Sequence, residues 1–311
     1  MHISVVLSFR NEEDVLQELI NRLESVFNNE QVDYELVFVD DASNDGSHDI
    51  LSGNNKRNPR VKIITMSRRF GNTPCVLAGF RHATGDAIIY MDCDLQDPPE
   101  IIPRLLEKWR DGADVVHTTR TLRHGEHPFK MWLTRLAYGC INRIADIHIP
   151  VNSGDFKLIS RRAINELLKL DEFDPFMRGL VAWVGFKQVQ VFYERSARYA
   201  GITKFSLWRS INPYKEFVRG LTRFSDLPLY FALITGFILS LVSVIYIVLL
   251  VIRRFMGVPM DKVDILIFMM LVLGGGMLFT NGVLGIYVGI IHKEVKKRPR
   301  YIISSRIGFD V

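Results

Sequence analysis

Cysteine is scarce in this chain. Only Cys75, Cys93 and Cys140 occur among 311 residues, and no two of them share a C-x-x-C spacing. That leaves neither a disulfide framework nor a cysteine-based zinc site to expect, and small buried thiols in a reducing compartment are the simplest reading. No G-x-G-x-x-G follows the first apolar run, which argues against a dinucleotide fold; Gly274-Gly275-Gly276 lies inside an apolar stretch, where small residues serve helix packing. Repeats, low-complexity tracts and nucleic-acid-binding motifs are also missing. The N-terminal run Met1-His2-Ile3-Ser4-Val5-Val6-Leu7 has no basic leader or cleavage site and ends in Arg10-Asn11-Glu12-Glu13. No targeting signal is expected there, so the first domain is expected to stay in the cytosol.

Charge is missing locally. Leu227 to Ile252 and Ile265 to Ile291 contain no Asp, Glu, Lys or Arg, and each is longer than the roughly 20 residues that span a bilayer. Two transmembrane helices are expected, with a pair of buried core helices as the weaker alternative. Lys204, Arg209, Lys215, Arg219 and Arg223 precede the first run, and Lys293, Lys296, Lys297, Arg298, Arg300 and Arg306 follow the second. The connecting loop has Arg253, Arg254 and Lys262, partly offset by Asp261 and Asp264. The positive-inside rule then puts both termini in the cytoplasm. The net charge of +5 suits anionic lipid headgroups better than nucleic acid.

What is present in the first 120 residues is alternation. Ile3 to Leu7, Glu35 to Val39, Val61 to Thr65, Ala87 to Met91 and Asp114 to Thr118 read as strands. Glu12 to Phe27, Ser47 to Lys56, Asn72 to Ala83 and Pro98 to Trp109 read as helices between them. A βαβ series of this kind demands a largely parallel sheet with helices on both faces, and ligands bind beyond the carboxyl ends of its strands. Polar clusters follow all five strands: Arg10-Asn11-Glu12, Asp40-Asp41, Ser67-Arg68, Asp92 with Asp94, and Arg120. From residue 129 the pattern is less regular, with helices expected at Met131 to Ile144, Arg162 to Lys169 and Pro175 to Val184, and strands at Phe156 to Ile159 and Gln188 to Tyr193. Residues 204 to 224 mix Phe205, Trp208, Tyr214 and Phe217 with Lys204, Arg209 and Lys215. That composition fits interfacial helices broken near Pro213, with an ordinary surface helix as the alternative.

Asp92 and Asp94 form a D-x-D, weak evidence alone but strengthened by its place at a strand end. Their carboxylates are the hard oxygen ligands that Mg²⁺ or Mn²⁺ prefers when it also holds a diphosphate. Asp97-Pro98-Pro99-Glu100 reads instead as a capping box, with Asp97 as N-cap.

Taken together, several runs resemble the polyprenyl-phosphate glycosyltransferases of family 2. They are Asp92-Cys93-Asp94-Leu95-Gln96-Asp97-Pro98-Pro99-Glu100, Asn11-Glu12-Glu13, Asp40-Asp41-Ala42-Ser43, Ser67-Arg68-Arg69-Phe70-Gly71, Gly154-Asp155-Phe156-Lys157 and Glu294-Val295-Lys296-Lys297-Arg298-Pro299. Bacterial bactoprenol glucosyltransferases are the nearest look-alikes, and dolichol-phosphate mannose synthase is a more distant one. The likeness spans essentially the whole chain. It departs at Ser8-Phe9-Arg10-Asn11-Glu12, where the family has P-x-Y-N-E, at Ala42 in place of Gly, at Arg69 in place of Asn, and at Gly285-Ile286-Tyr287 in place of G-E-Y. The first three departures touch the donor pocket.

The resemblance implies a GT-A catalytic domain over residues 1–203, interfacial helices over 204–226, a transmembrane hairpin over 227–292 and a cytosolic tail over 293–311. It implies a multi-pass protein of a bacterial inner membrane, assembled as a homo-oligomer, perhaps a tetramer. The reaction would carry a hexose from a UDP-sugar, UDP-glucose favoured, to undecaprenyl phosphate, with Mg²⁺ or Mn²⁺. By position, Asp92, Asp94 and Gln96 would meet the metal and donor diphosphate; Glu12, Asp40, Asp41 and Arg68 would meet the donor; Arg120, Arg198 and Lys204 would meet the acceptor phosphate. Asp155 and Asp94 would be catalytic, Asp155 either as a helper at the acceptor and sugar carbon or, on the bland reading, as a turn residue after Gly154. A processive synthase is disfavoured by the lack of a Q-x-x-R-W motif, and a non-catalytic scaffold by the intact acids.

Overall fold

The computed structural model describes residues 1–120, 153–170, 172–173, 175–194, 227–256 and 262–309. The helix expected at Met131 to Ile144, the interfacial segment, Arg198 and Lys204 lie outside these residues.

Strands β1 (His2–Phe9), β2 (Asp33–Asp40), β3 (Val61–Met66), β4 (Ala87–Asp92) and β5 (Val115–Arg120) fall where alternation predicts them. Helices α1 (Glu13–Glu30), α2 (Ser47–Arg57), α3 (Asn72–His82) and α4 (Ile102–Arg110) lie between them. Then come β6 (Ser153–Ser160), α5 (Arg161–Lys169), α6 (Met177–Trp183), β7 (Gln188–Tyr193), two long helices α7 (Leu227–Phe255) and α8 (Lys262–Val295), and β8 (Ile303–Ile307).

The strands form one sheet in the order β7-β5-β6-β4-β1-β2-β3-β8. β1, β2, β3 and β4 are mutually parallel, and β7 is parallel to β5. β6 is antiparallel to both β4 and β5, and β8 is antiparallel to β3. The sheet is thus mostly parallel, as in GT-A-like α/β folds, with two reversed strands. β6 is the consequential one. It enters at the sheet edge where β4 ends, so residues at its start meet residues at the end of β4.

Side-chain alternation explains the two apolar layers. Ile3, Val5, Leu7 and Phe9 join Leu16, Leu19, Leu23, Leu51, Leu105 and Leu106 from α1, α2 and α4 on one face. Val6 points the other way, with Val76, Phe80, Ile164 and Leu180 from α3, α5 and α6. Close packing sets one glycine: a Cβ on Gly79 would lie 2.3 Å from Val6 Cγ1, so α3 reaches β1 because that position has no side chain.

The expected capping box is replaced. Pro98 and Pro99 favour a short 3₁₀ turn, Pro99–Ile101, and α4 begins only at Ile102, with no side-chain cap. Asp97 instead accepts the Tyr193 hydroxyl from β7, and Glu100 pairs with Arg22 of α1. A hydroxyl from a distant strand outcompetes the local amide because it brings a donor into a buried site.

α7 and α8 run for 29 and 34 residues. Among the described residues, Val272–Val295 is long and apolar enough to cross a membrane, and Leu229–Leu239 is a shorter apolar stretch. From the last turn of α8 the chain returns to the sheet. Glu294 accepts the Phe173 amide with both oxygens at 3.0 Å, and Arg300 donates to the Leu170 carbonyl at 3.1 Å. β8 then pairs with β3, so the segment expected as a tail carries the sheet's edge strand.

Candidate active site

Four loops at the carboxyl edge build the site, and each is tied to a neighbour. After β1, Asn11 adopts φ 53° and exchanges amide hydrogen bonds with Asn44, at 2.7 and 3.0 Å. Its own N–H donates to Ser43 Oγ at 3.0 Å. The Glu12 amide donates to Ser47 Oγ at 3.2 Å, and Glu13 accepts the Gly46 amide at 2.6 Å. The first two loops are therefore laced into one unit, with the Glu12 side chain half-buried at its rim.

Asp40 and Asp41 are both buried. Asp40 accepts the Ser43 amide at 2.8 Å, closing the turn after β2. Asp41 reaches to the β3–α3 loop and accepts the amides of Phe70 and Gly71. These carboxylates thus shape the loops after β2 and β3 by holding backbone. Arg68, on that third loop, stacks its guanidinium 4.2 Å from the Phe70 ring centroid and donates to the Arg69 carbonyl at 3.3 Å.

The fourth loop follows β4. Asp92 and Asp94 are half-buried and alternate with buried Cys93 and Leu95. Leu95 takes φ 54°, and the Gln96 amide donates to Asp94 Oδ1 at 3.2 Å, so the loop turns on itself with both carboxylates at the edge. Burial pushes the Cys93 thiol up, and Asp92, Glu12 and Asp94 add to the push. Three carboxylates from two loops therefore concentrate negative potential on one spot. Among the described residues no group of three or more His, Cys, Asp or Glu side chains holds a metal ion by itself. The oxygen donors fit a hard divalent ion whose remaining ligands come from phosphate and water.

β6 adds Asp155, expected from the sequence, and Lys157, which was not. Tyr90 of β4 is in register with Lys157 of β6; two residues on from Tyr90 and two back from Lys157, toward the carboxyl edge, stand Asp92 and Asp155. Asp155 lies in a strand, so its reading as a turn residue is corrected. Its carboxylate is gripped by Arg178 of α6, with Nε 2.9 Å from Oδ1 and Nη2 3.0 Å from Oδ2. Lys157 is buried beneath. Burial pushes its ammonium down to about 8, against the pull of Asp155 and Asp92 and with the push of Arg178. Burial likewise raises the Tyr90 hydroxyl, helped by Asp155 and Asp92. Asn72 donates to Tyr90 Oη at 2.8 Å and accepts from Ser8, joining β1, α3 and β4 under the edge.

Lys157 and Arg178 received no role from the sequence. A lone Lys inside the apolar strand Phe156-Lys157-Leu158-Ile159, and a lone Arg inside Phe176-Met177-Arg178-Gly179-Leu180-Val181, were the available signals. Arg120 closes β5, and Arg198 and Lys204 belong to the segment outside the described residues.

The fold is a GT-A-like, mostly parallel α/β sheet with acidic loops gathered at its carboxyl edge. Residues 4–168 match the model for glycosyl transferase family 2, and the chain belongs to that family. It is 40% identical to the uncharacterized glycosyltransferase YkcC of Bacillus subtilis (strain 168), over 99% of this chain and 94% of that protein. It is 37% identical to the bactoprenol glucosyl transferase of Shigella phage SfX, over 98% of this chain and 100% of that protein. Among solved structures, mannosyl-3-phosphoglycerate synthase from Rubrobacter xylanophilus superposes with a TM-score of 0.48 at 17% identity, covering 72% of this chain and 73% of that one. Cys75 and Cys93 are free and buried, as expected; Cys140 lies outside the described residues.

Proposed function

We propose that this glycosyltransferase moves a hexosyl group, glucose in first place, from a UDP-sugar to undecaprenyl phosphate at the cytoplasmic face of a bacterial inner membrane. The product is a polyprenyl-phosphate-linked sugar for cell-envelope glycan modification. The single observation that carries this reading is the near-full-length likeness to bactoprenol glucosyl transferases, long apolar helices included.

The topology of the chain supports a membrane hairpin. β1 to β7 precede both long helices and β8 follows them, yet all lie in one sheet. A chain that enters a bilayer after β7 and comes back to the same sheet as β8 would leave and return on one side, which two crossings achieve and one does not. The catalytic domain and both termini then share the cytoplasmic side, and the apolar faces suit a homo-oligomer such as a tetramer.

A phosphate monoester with a second pKa near 6 is mostly a dianion at neutral pH, already a competent nucleophile. A strong base is dispensable; cancelling repulsion between acceptor and donor phosphates is not. Arg120, Arg198 and Lys204 serve the acceptor phosphate, with Lys204 at the headgroup plane. Glu12, Asp40, Asp41 and Arg68 shape the nucleoside side. Asp92, Asp94 and Gln96 would hold Mg²⁺ or Mn²⁺, which when bound would neutralise the departing diphosphate. Asp155 orients the acceptor and steadies positive charge at the sugar carbon, while Asp94 joins it in catalysis. Buried Lys157 offsets the crowd of carboxylates. In-line displacement on an α-linked donor inverts the anomeric centre to β.

The test uses purified full-length protein in vesicles with undecaprenyl phosphate, offered UDP-glucose, UDP-galactose or UDP-N-acetylglucosamine with Mg²⁺, Mn²⁺ or a chelator. One β-linked sugar per lipid phosphate, lost on chelation, is the expected outcome. An α-linked product, a growing polysaccharide, or no lipid-linked product from any donor would overturn the reading.

A further inference from the structure

Arg178 and Asp155 meet where α6, a helix of the second apolar layer, reaches the carboxyl edge. Both side chains are partly exposed, at 36% and 24%. A solvent-facing ion pair adds little to stability, yet this one is built with more care than a surface pair requires. Its geometry is bidentate, two N–H groups on two oxygens, which fixes the plane of the carboxylate as a single lysine contact would not. The helix that carries Arg178 is itself held at both ends.

At its far end, the Val181 and Ala182 carbonyls accept Gln188 Nε2, at 3.2 and 3.1 Å, and Leu180 and Val181 are buried. At its near end, the chain between α5 and α6 is clamped twice, by the last turn of α8 and by the segment after it: Glu294 holds the Phe173 amide and Arg300 holds the Leu170 carbonyl. The last turn of α8 is therefore connected, through a short loop and one side chain, to a carboxylate at the site.

We infer that Arg178 is a positioning residue for transfer: it fixes the plane and charge of the Asp155 carboxylate, and the Glu294 and Arg300 contacts hold the helix that carries it. The inference rests on Asp155 acting in the reaction. Strand β6 sets the Asp155 backbone, but its carboxylate rotates about two bonds, and a carboxylate that orients an acceptor must hold one rotation. The Arg178 fork supplies that restraint. It also keeps a positive charge beside the cluster of Asp92, Asp94 and Asp155, leaving the Asp155 oxygens able to face a bound substrate. The clamp by Glu294 gives the end of an apolar helix a direct part in catalytic geometry. Detaching it loosens α6 without touching any residue at the site.

The experiment is a double-mutant cycle on the full chain with the vesicle assay, using Arg178→Gln, Arg178→Lys, Asp155→Asn and the Arg178→Gln/Asp155→Asn pair, with Glu294→Ala as the remote variant. Arg178→Gln is expected to lower kcat by about 30-fold or more while donor and acceptor KM stay within about threefold. Arg178→Lys recovers part of that loss, and Glu294→Ala gives a smaller loss of kcat in the same direction. In the Asp155→Asn background the Arg178 change costs nothing further, because the residues act as one unit. Equal fold-losses in both backgrounds, or a raised KM with unchanged kcat, would overturn the inference. If Arg178→Gln does not fold, the Arg178→Lys arm of the same cycle decides. Full activity of Asp155→Asn alone would instead remove the role given to Asp155, a separate outcome.

Discussion

Asp41 and Gly71 join two loops that lie 30 residues apart in the chain. Both Asp41 oxygens accept the Gly71 amide, at 3.2 and 3.0 Å, and Oδ1 also accepts the Phe70 amide at 2.6 Å. Gly71 sits at φ 98° just before α3, so Asp41 takes the place of a helix cap from a neighbouring strand. Asp41→Ala leaves two amides without their acceptor, in a half-buried setting, and is expected to cost about 1–3 kcal/mol of stability. The donor KM should rise with it, since the β3–α3 loop loses its tether. Asp41→Asn keeps one acceptor oxygen and should fall between. Chemical denaturation with donor kinetics tests both; a normal melt with a raised KM would mean that Asp41 serves the nucleoside alone.

Ala42 adopts φ 54°, in the left-handed region that favours glycine. A Cβ in this left-handed region costs about 1–2 kcal/mol, part of which a glycine gives back through a freer unfolded chain. Ala42→Gly is therefore expected to stabilise the protein by roughly 0.5–1 kcal/mol. The turn itself is set by Asp40 accepting the Ser43 amide, so activity should change little. A lower melting temperature would show that the Ala42 methyl packs more favourably than its backbone strain costs.

Glu35 illustrates charge spent on the fold at the opposite edge of the sheet. Its carboxylate is buried and accepts Ser4 Oγ, the Thr84 amide at 2.6 Å and Thr84 Oγ1 at 2.9 Å, with Lys62 Nζ 2.8 Å away. Burial alone would raise this acid, but Lys62, Ser4 and Thr84 outweigh it and hold the group below its ordinary 4.5. A lowered folded value means the contribution is present above the unfolded value and is lost as pH falls through the folded one. Glu35→Gln should destabilise by about 1–3 kcal/mol at neutral pH, and its deficit should shrink below pH 4.5 as the wild-type group protonates. A deficit that stays constant down to pH 3 would place the effect in packing, not charge.

The legible parts of this molecule are those that rest on local pattern. Short β-branched runs such as Ile3 to Leu7 and Glu35 to Val39, set between helical patterns, located the strands, and the polar residues after each one marked the ligand edge. What alternation does not carry is strand order. Nothing in Ser153 to Ser160 announces that it inserts between β4 and β5 in reverse, and that reversal is what brings Asp155 beside Asp92. The same limit hid β8, whose Ile303-Ser304-Ser305-Arg306-Ile307 looks like tail, and misassigned Asp97, whose partner Tyr193 lies 96 residues on. Arg178 was invisible for the same reason: its partner is a strand away.

His117 and Lys157 face each other in register across β5 and β6, and their titrations are coupled. Burial pushes the His117 imidazole down to about 4, with Lys157 adding to the push and the Gln188 side chain, 2.8 Å away, opposing it. A folded value below the ordinary 6.5 favours the neutral ring, so stability should fall as pH drops from about 6.5 to about 4 and then level off. The size of that fall is of order 3 kcal/mol. Lys157→Met removes the second cause and leaves the first, so His117 should titrate higher than about 4 yet still below 6.5. Histidine ring NMR on the full chain, with His117→Gln for assignment, reads this directly. The same substitution removes a buried ammonium whose folded value of about 8 lies well under its ordinary one, a penalty that is full below pH 8 and relieved as pH rises toward 10.5. Lys157→Met should therefore melt higher at neutral pH while transferring more slowly, the exchange expected of a charge kept for function. A variant that melts lower would mean that Asp155 and Asp92 repay the Lys157 ammonium more than burial costs it, and that the charge holds the site together.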